Sequence, residues 1–182
     1  MTELEPRATA FSRIPERPTA DNLLRTTQQH HVGLSAMADT KANIIITVSS
    51  IVLTLVLGRA NDPSVRAAAL VLAAFTLLAL LLAILAVLPK YQRRAKVGEA
   101  RPDDFNVLFF GHFAGLSRSR FIAEMQRVLT PDGSPYAAWV DDIHSLGCYL
   151  AEHKYRYLRW SYLFFLAGFV LACVTQVFQL AR

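Results

Sequence analysis

An uninterrupted run of 22 uncharged residues, 67–88, limits what this chain can fold into more than any other feature. As a helix the run is about 33 Å long, which matches the hydrocarbon core of a bilayer at about 30 Å. A second run, 161–180, is interrupted only by Gln176 and Gln179 and follows an aromatic and basic flank typical of a membrane interface. Because 53% of the 182 residues are hydrophobic, the composition also disfavours an ordinary soluble domain. The sequence therefore predicts an integral membrane protein.

A shorter apolar stretch, 42–57, predicts a further membrane helix near the N-terminus. Its length of about 24 Å is marginal for crossing a bilayer. We expect residues 36–41 to extend this helix, with Lys41 reaching the membrane surface through its aliphatic chain. Asn61-Asp62-Pro63 supplies a turn to the next span. The predicted fold is mainly α-helical, with about three transmembrane helices arranged as an N-terminal helical hairpin and a C-terminal span, and with a small α-rich cytoplasmic segment.

The distribution of basic residues predicts how the chain crosses the membrane. Lysine and arginine are concentrated before the first span and between residues 89 and 160, whereas the hairpin turn has only Arg59 and Arg66. The positive-inside rule then places the N-terminus and residues 89–160 in the cytoplasm and Arg182 on the opposite side of the membrane. The predicted parts are a flexible tail (1–20), a cytoplasmic amphipathic helix (21–41), transmembrane helices (42–57 and 67–88), a cytoplasmic sensor or coupling segment (89–160) and a third transmembrane helix (161–180).

The helix that enters the membrane first carries a polar stripe. At 100° per residue its five members lie within about 80° of one another: Asp39, Asn43, Thr47, Ser50 and Thr54. Because polar groups in hydrocarbon need partners, we expect the stripe to face another helix, another subunit or water. The alternative is packing within the chain, with each hydroxyl bonded to the carbonyl four residues earlier. Asp39 and Lys41 either couple the cytoplasmic and membrane parts or serve as an interfacial acid and a surface-reaching lysine.

The residue pattern between the second and third spans predicts that this segment is folded. Residues 103–113 predict a short strand or a buried extended run. Ser117 is placed to cap a helix that ends at Leu129. Ser134 and Pro135 then begin a helix that is expected to continue unbroken into the third span.

The sequence lacks the residue patterns that are typical of several functional classes. The net charge of +5 does not indicate nucleic-acid binding, because the basic residues cluster beside the spans, where topology and anionic lipid account for them. The two cysteines and the histidine spacings match neither a disulfide framework nor a zinc site. No nucleophile–base pair or phosphate-binding loop is present. We therefore expect no metal, no cofactor, no nucleic-acid partner and no enzymatic activity.

Three separated blocks resemble the transmembrane effectors of Pycsar, the pyrimidine cyclase system for antiphage resistance, of the PycTM type. The blocks are HVGLSAMADTKANIII, NVLFFGHFAGLSRSRFIAEM and KYRYLRWSYLFFLAGFVL, and in this order they extend over about residues 23–175. The resemblance implies a protein of the bacterial inner membrane that responds to cyclic UMP or cyclic CMP, made by a partner pyrimidine cyclase on phage infection. It also implies that the effector impairs the membrane and causes cell death, which aborts the infection.

The resemblance assigns no ligand-binding residues, so the candidates come from residue chemistry. Arginine donors near a helix start favour a phosphate, and an aromatic ring can stack on a base. The candidate ligand-binding residues are His112, Phe113, Arg118 and Arg120. The alternative is solvated basic side chains and a phenylalanine that belongs to a core. Family members often carry acidic residues where this chain has Arg118 and Arg120.

Three functions are weighed after this reasoning, and the third, a membrane-bound enzyme, is disfavoured because no nucleophile–base pair, phosphate-binding loop or paired metal motif is present. The first is a ligand-gated effector that disrupts the membrane as a homo-oligomer, because three short helices do not enclose an aqueous path alone. The second is a passive membrane anchor or scaffold for a partner signalling protein.

Overall fold

The computed structural model describes residues 18–88, 105–130 and 135–181, and all regular elements in these ranges are helical. This confirms the predicted fold class. The elements are α1 (Pro18–Arg59), α2 (Arg66–Val87), α3 (Phe110–Phe113), α4 (Arg118–Leu129), α5 (Pro135–Tyr149), a π-helical turn (Leu150–Lys154) and α6 (Tyr155–Leu180). Three helical stretches are long and apolar enough to cross a membrane: Thr19–Arg59, Arg66–Val87 and Pro135–Leu180.

The N-terminal helix begins earlier than the sequence predicts. Residues 1–17 of the predicted tail lie outside the described residues, whereas residues 18–20 form the first turn of α1. Proline is favoured in a first turn because its missing N–H has no helical partner there, and Asp21 complements the positive end of the helix dipole. The predicted helix 21–41 and the predicted span 42–57 both lie on α1.

Residues 105–113 form neither the predicted strand nor the predicted buried extended run, while residues 103 and 104 lie outside the described residues. Val107 and Leu108 form a turn, and α3 follows as a single helical turn. The side-chain oxygen of Asn106 accepts the backbone N–H of Leu108 at 2.8 Å. This local hydrogen bond bends the backbone and competes with an extended conformation.

The other predicted boundaries in this part of the chain are confirmed where they fall on described residues, whereas the predicted cap Ser134 lies outside the described residues. The hydroxyl oxygen of Ser117 accepts the backbone N–H of Arg120 at 3.3 Å, and α4 ends at Leu129. The helix that begins at Pro135 continues to Leu180, with the π-helical turn as its only departure from α-helical geometry.

The chain divides into two compact units. The first unit contains residues 1–32 and 89–148, and the second contains residues 33–88 and 149–182. In the second unit Ala38 and Ala42 of α1 pack with Ala86 of α2 and Leu158 of α6. The largest fully buried side chains of the described residues are only Thr76, Ser49 and Ser161. Small interior residues of this kind allow membrane helices to approach closely.

Helices α2 and α6 approach each other closely in the second unit. A Cβ atom built on Gly168 would lie 2.7 Å from Cβ of Phe75, so the contact leaves no room for a methyl group. The hydroxyl of Ser161 donates to the carbonyl oxygen of Ala79 at 2.7 Å. Large apolar side chains point outward instead: Leu81 is 49% exposed and Leu166 is 61% exposed. Small residues between the helices and large apolar residues on the outer surface are typical of helices that contact lipid.

The turn between α1 and α2 is held by a local cap. The hydroxyl of Ser64 donates to the Asp62 carboxylate at 2.6 Å, and the Ser64 backbone N–H donates to it at 3.0 Å. These two hydrogen bonds hold the pKa of Asp62 below its usual value of 3.8.

Candidate functional site

Four members of the polar stripe lie on the outer surface of the second unit. Asn43, Thr47, Ser50 and Thr54 are all exposed. The residues of α1 that face the interior are instead Ala38, Ala42, Ile45 and Ser49. At 100° per residue the two sets are centred roughly 120–140° apart. Packing among the described residues therefore does not cover these four stripe residues.

The hydroxyl groups of the stripe are nevertheless hydrogen-bonded. Thr47 donates to the carbonyl oxygen of Asn43 at 2.9 Å, Ser50 to that of Ile46 at 2.8 Å, and Thr54 to that of Ser50 at 2.9 Å. This is the back-bonding to the preceding turn that the alternative interpretation predicts. The stripe can therefore face hydrocarbon at moderate cost. Its hydroxyl oxygens still have acceptor capacity for a second partner.

Asp39, the fifth stripe residue, has a partner inside the second unit. The ammonium group of Lys154 lies 2.7 and 2.8 Å from the two carboxylate oxygens of Asp39 and donates to the hydroxyl of Ser35 at 2.8 Å. Lys154 as a whole is 9% exposed, while the Asp39 side chain is 42% exposed. The charge of Lys154 is thus largely removed from water and depends on Asp39 for compensation.

Lys154 is the last residue of the π-helical turn. In that turn the backbone N–H of Tyr155 bonds to the carbonyl of Leu150, so one extra residue is accommodated. A π turn shifts the register of all side chains that follow it, and such turns occur frequently at functional sites. Tyr155 adds a second tie, because its hydroxyl donates to the carbonyl of Leu34 at 3.2 Å. The π turn and the adjoining part of α1 are thereby held together at three α1 residues: Leu34, Ser35 and Asp39.

In the first unit, a polar network surrounds the carboxylate of Asp142. Gln28 donates to one oxygen at 2.6 Å and Asn106 donates to the other at 2.7 Å. Trp139 in turn donates to Gln28 at 2.9 Å. This network fixes the turn before α3 to α5 and to the N-terminal part of α1.

Two of the four candidate ligand residues have structural partners in the first unit. Nδ1 of His112 accepts the backbone N–H of Asn106 at 2.8 Å, and its ring stacks on Phe105 with centroids 5.9 Å apart. The ring of Phe113 packs on Phe121 with centroids 4.9 Å apart. Both side chains therefore help to build the turn and its contact with α4.

The other two candidates, Arg118 and Arg120, lie in the first turn of α4 and are exposed. Among the described residues, no three His, Cys, Asp or Glu side chains are grouped as metal ligands would be.

Sequence reasoning missed Lys154 as a site residue. Its charge was attributed to the basic flank of the third span, although an acidic residue at the membrane edge calls for a basic partner. Asp142, Asn106 and Gln28 were missed because amide and carboxylate side chains far apart in sequence carry no local pattern. The signal available for Lys154 was its position at the start of the third span, at the same membrane edge as Asp39.

Comparison with known protein families decides what kind of chain this is. Residues 22–181 match the Pycsar effector protein domain of the PycTM type. The chain belongs to the Pycsar effector family. The match spans nearly the whole chain and both compact units, so it confirms the resemblance of the three sequence blocks. No curated protein and no solved structure shows significant similarity to this Pycsar effector.

Family membership agrees with the second unit, since a Pycsar effector of this type carries transmembrane helices and the described residues provide three candidate spans. The site of greatest chemical interest in this effector is the edge of the apolar stretch of α1. There Asp39, which pairs with the buried Lys154, and the exposed stripe residues lie on one helix.

Proposed function

We propose that this chain is the membrane-damaging effector of a cyclic-nucleotide antiphage defence system. Cyclic UMP or cyclic CMP, made by a partner pyrimidine cyclase on infection, activates it, and the active protein impairs the bacterial inner membrane and causes cell death. The observation that supports this proposal is the match to the Pycsar effector domain over residues 22–181, together with three candidate spans. In this proposal the N-terminus and residues 89–160 lie in the cytoplasm and Arg182 lies in the periplasm, as the positive-inside rule predicts.

The exposed stripe supports a homo-oligomeric active state. Asn43, which forms no hydrogen bond through its side chain in the described part of the chain, would place a carboxamide in hydrocarbon in a lone monomer. A second copy offers matching amide and hydroxyl partners, and such polar contacts stabilise helix association in membranes. Several copies that turn Asn43, Thr47, Ser50 and Thr54 toward a common axis would form a polar path.

The Asp39–Lys154 pair is the proposed coupling point, together with the neighbouring Lys41. The pair fixes α1 to the π turn in the second unit. The N-terminal part of α1 belongs to the first unit, and so does most of α5, which runs directly into the π turn. A ligand that favours one arrangement of these helices would shift the population of the active state in proportion to its differential affinity. The family implies that this ligand is a cyclic pyrimidine nucleotide.

Nucleotide recognition is assigned to the first unit. Arg118 and Arg120 are exposed donors for the cyclic phosphate, and His112 with Phe113 orders the turn that precedes them. The purified protein in detergent is then expected to unfold at higher temperature with cyclic UMP or cyclic CMP, but not with ATP, because a ligand that binds only the folded state stabilises it. The same experiment with Arg118→Gln and Arg120→Gln together should abolish the shift.

Co-expression with the partner cyclase tests the function as a whole. Membrane potential, followed with a voltage-sensitive dye, is expected to collapse with the active cyclase and to persist with an inactivated form of the cyclase. If the potential persists with both, and overproduction is harmless, the chain is instead the passive anchor or scaffold of a partner protein.

A further inference from the structure

A shallow, open depression lies in the second unit where α1 and α6 reach their apolar stretches. It has a volume of about 400 Å³ and is lined by Lys41, Tyr155, Leu158, Arg159 and Tyr162. The four residues on α6 follow one another at intervals of three, one and three, so one face of that helix provides them. The apolar stretch of α1 begins directly after Lys41, and that of α6 begins two residues after Arg159. The depression therefore lies at the level where hydrocarbon gives way to lipid headgroups.

The charge of the depression is positive. Lys41 and Arg159 are both exposed, and neither forms an ion pair within residues 18–88, 105–130 and 135–181. Asp39, the carboxylate closest to Lys41 in sequence, is engaged by Lys154 at 2.7 Å. Two cations thus share one open site in which no carboxylate lines the wall.

The chemistry of the lining suits a phosphodiester at a membrane surface. The guanidinium group of Arg159 presents paired N–H donors that match two phosphate oxygens, and Lys41 adds a mobile ammonium group. Leu158 and the rings of Tyr155 and Tyr162 form an apolar wall beside these cations. The hydroxyl of Tyr155 is fixed on the carbonyl of Leu34, so this wall has a defined shape. Tyrosine side chains with one apolar and one polar end are typical of the headgroup level.

We propose that this depression binds the phosphodiester headgroup of an anionic phospholipid, whose acyl chains remain in the bilayer beside α1 and α6. A zwitterionic lipid would bring its own cation next to Lys41 and Arg159, so the site favours a lipid with a net negative charge. The open side of the depression accommodates a headgroup that stays attached to its chains. This lipid site gives the second unit a fixed contact with the membrane surface.

Lipid titration of the full-length protein in detergent, read by native mass spectrometry, tests the proposal. Phosphatidylglycerol is expected to bind more tightly than phosphatidylcholine with identical chains. The double variant Lys41→Gln, Arg159→Gln is expected to weaken phosphatidylglycerol binding by about tenfold or more, because each cation near an anionic surface contributes about 1 kcal/mol. The matched control, Arg59→Gln with Arg66→Gln, removes two exposed arginines at the hairpin turn and should bind like the parent. Equal affinity of the parent for both lipids, or parental affinity in the double variant, would overturn the proposal.

Two further measurements test whether the charge of the site and the acyl chains of the lipid are both required. The charge-conserving variant Lys41→Arg, Arg159→Lys keeps one ammonium and one guanidinium group in the depression, so it is expected to bind phosphatidylglycerol within about threefold of the parent. Binding as weak as that of the double glutamine variant would show that the site does not act through its charge and would overturn the proposal. Glycerophosphoglycerol, which has the same headgroup without chains, and a cyclic mononucleotide should not displace the lipid at millimolar concentration. Displacement by either one would assign the site to a soluble phosphodiester and overturn the lipid proposal.

Discussion

Lys154 places a full positive charge where only 9% of the residue is exposed, so its environment must supply compensation. Asp39 and Ser35 supply it, at 2.7 to 2.8 Å from the ammonium nitrogen. Because one partner, Asp39, is partly exposed, breaking this pair should cost more stability than breaking an exposed ion pair and less than breaking a fully buried one.

Replacing the carboxylate is therefore expected to destabilise the protein. Asp39→Asn preserves the size of the side chain but leaves the Lys154 charge uncompensated, and the free energy of unfolding should fall by about 1–3 kcal/mol. Thermal unfolding in detergent micelles measures this change. Asp39→Asn combined with Lys154→Met should recover part of the loss, since the buried charge is then absent.

A control exists in the ion pair of Arg127 and Glu124 on α4, whose atoms are 3.4 Å apart and whose arginine side chain is 59% exposed. Arg127→Gln should change the free energy of unfolding by less than about 0.5 kcal/mol, because it removes an exposed cation and a pair three residues apart on one helix contributes little. An Asp39→Asn protein as stable as the Arg127→Gln protein would show that Lys154 finds other compensation.

At the scale of the helices, the close contact of α2 with α6 depends on the absence of a side chain at Gly168. Its nearest neighbour is Cβ of Phe75, which is attached to the backbone and does not rotate away. Gly168→Ala is expected to force the helices apart and to lower the free energy of unfolding by about 1–3 kcal/mol, as for other overpacked cores. The midpoint of thermal unfolding in detergent should fall accordingly.

Gly58 provides the control for this substitution. It lies near the end of α1, and a Cβ atom there would meet nothing within 4 Å. Gly58→Ala should leave stability unchanged or raise it slightly, because alanine favours the helix. If both alanine variants unfold together with the parent, the contact between α2 and α6 is looser than 2.7 Å implies.

The polar stripe of α1 makes a second prediction at this scale. If Asn43, Thr47, Ser50 and Thr54 form subunit contacts or a polar path, replacing all four with leucine or valine should abolish killing while membrane insertion is retained. One polar contact between membrane helices contributes about 0.6 kcal/mol, so four contribute about 2 kcal/mol and the quadruple variant is the informative one. Cell survival after cyclase co-expression and the amount of protein in the membrane fraction are the two measurements.

The control for the stripe is the adjacent exposed row of apolar residues on α1. This row has the same spacing and consists of Ile44, Val48, Ile51 and Leu55. Ile44→Leu, Val48→Leu, Ile51→Leu and Leu55→Val together should be tolerated, because apolar residues that face lipid are nearly interchangeable. A quadruple stripe variant that accumulates normally and still kills like the parent would assign the stripe to passive back-bonding.

At the scale of the whole chain, the sequence predicts the helices well and their partners poorly. Apolar runs and turn residues locate the spans, because a bilayer demands a minimum length of apolar helix. The stripe is also visible, but helical angles do not separate Asp39, which pairs inside the chain, from Asn43, which faces outward. That separation depends on the π turn that places Lys154, and no local residue pattern specifies such a turn. Residues 105–113 were mispredicted for a related reason, since Asn106 bonds both locally and to distant Asp142.

The topology of the molecule depends on whether α1 crosses the membrane. The apolar stretch 42–57 alone is short, yet α1 continues as a helix to Arg59. From Lys41 to Arg59 it is about 28 Å long, close to the hydrocarbon thickness of about 30 Å. With both ends marked by basic residues and the hairpin turn poor in charge, the positive-inside rule predicts three crossings.

An alkaline phosphatase reporter fused after Arg182 should therefore be active in the periplasm. The same reporter inserted near residue 133 should be inactive, whereas a fluorescent protein inserted there should fold in the cytoplasm. A cytoplasmic reporter at Arg182 would mean an even number of crossings. In that case α1 would lie along the membrane surface, and the stripe would face headgroups rather than a second copy.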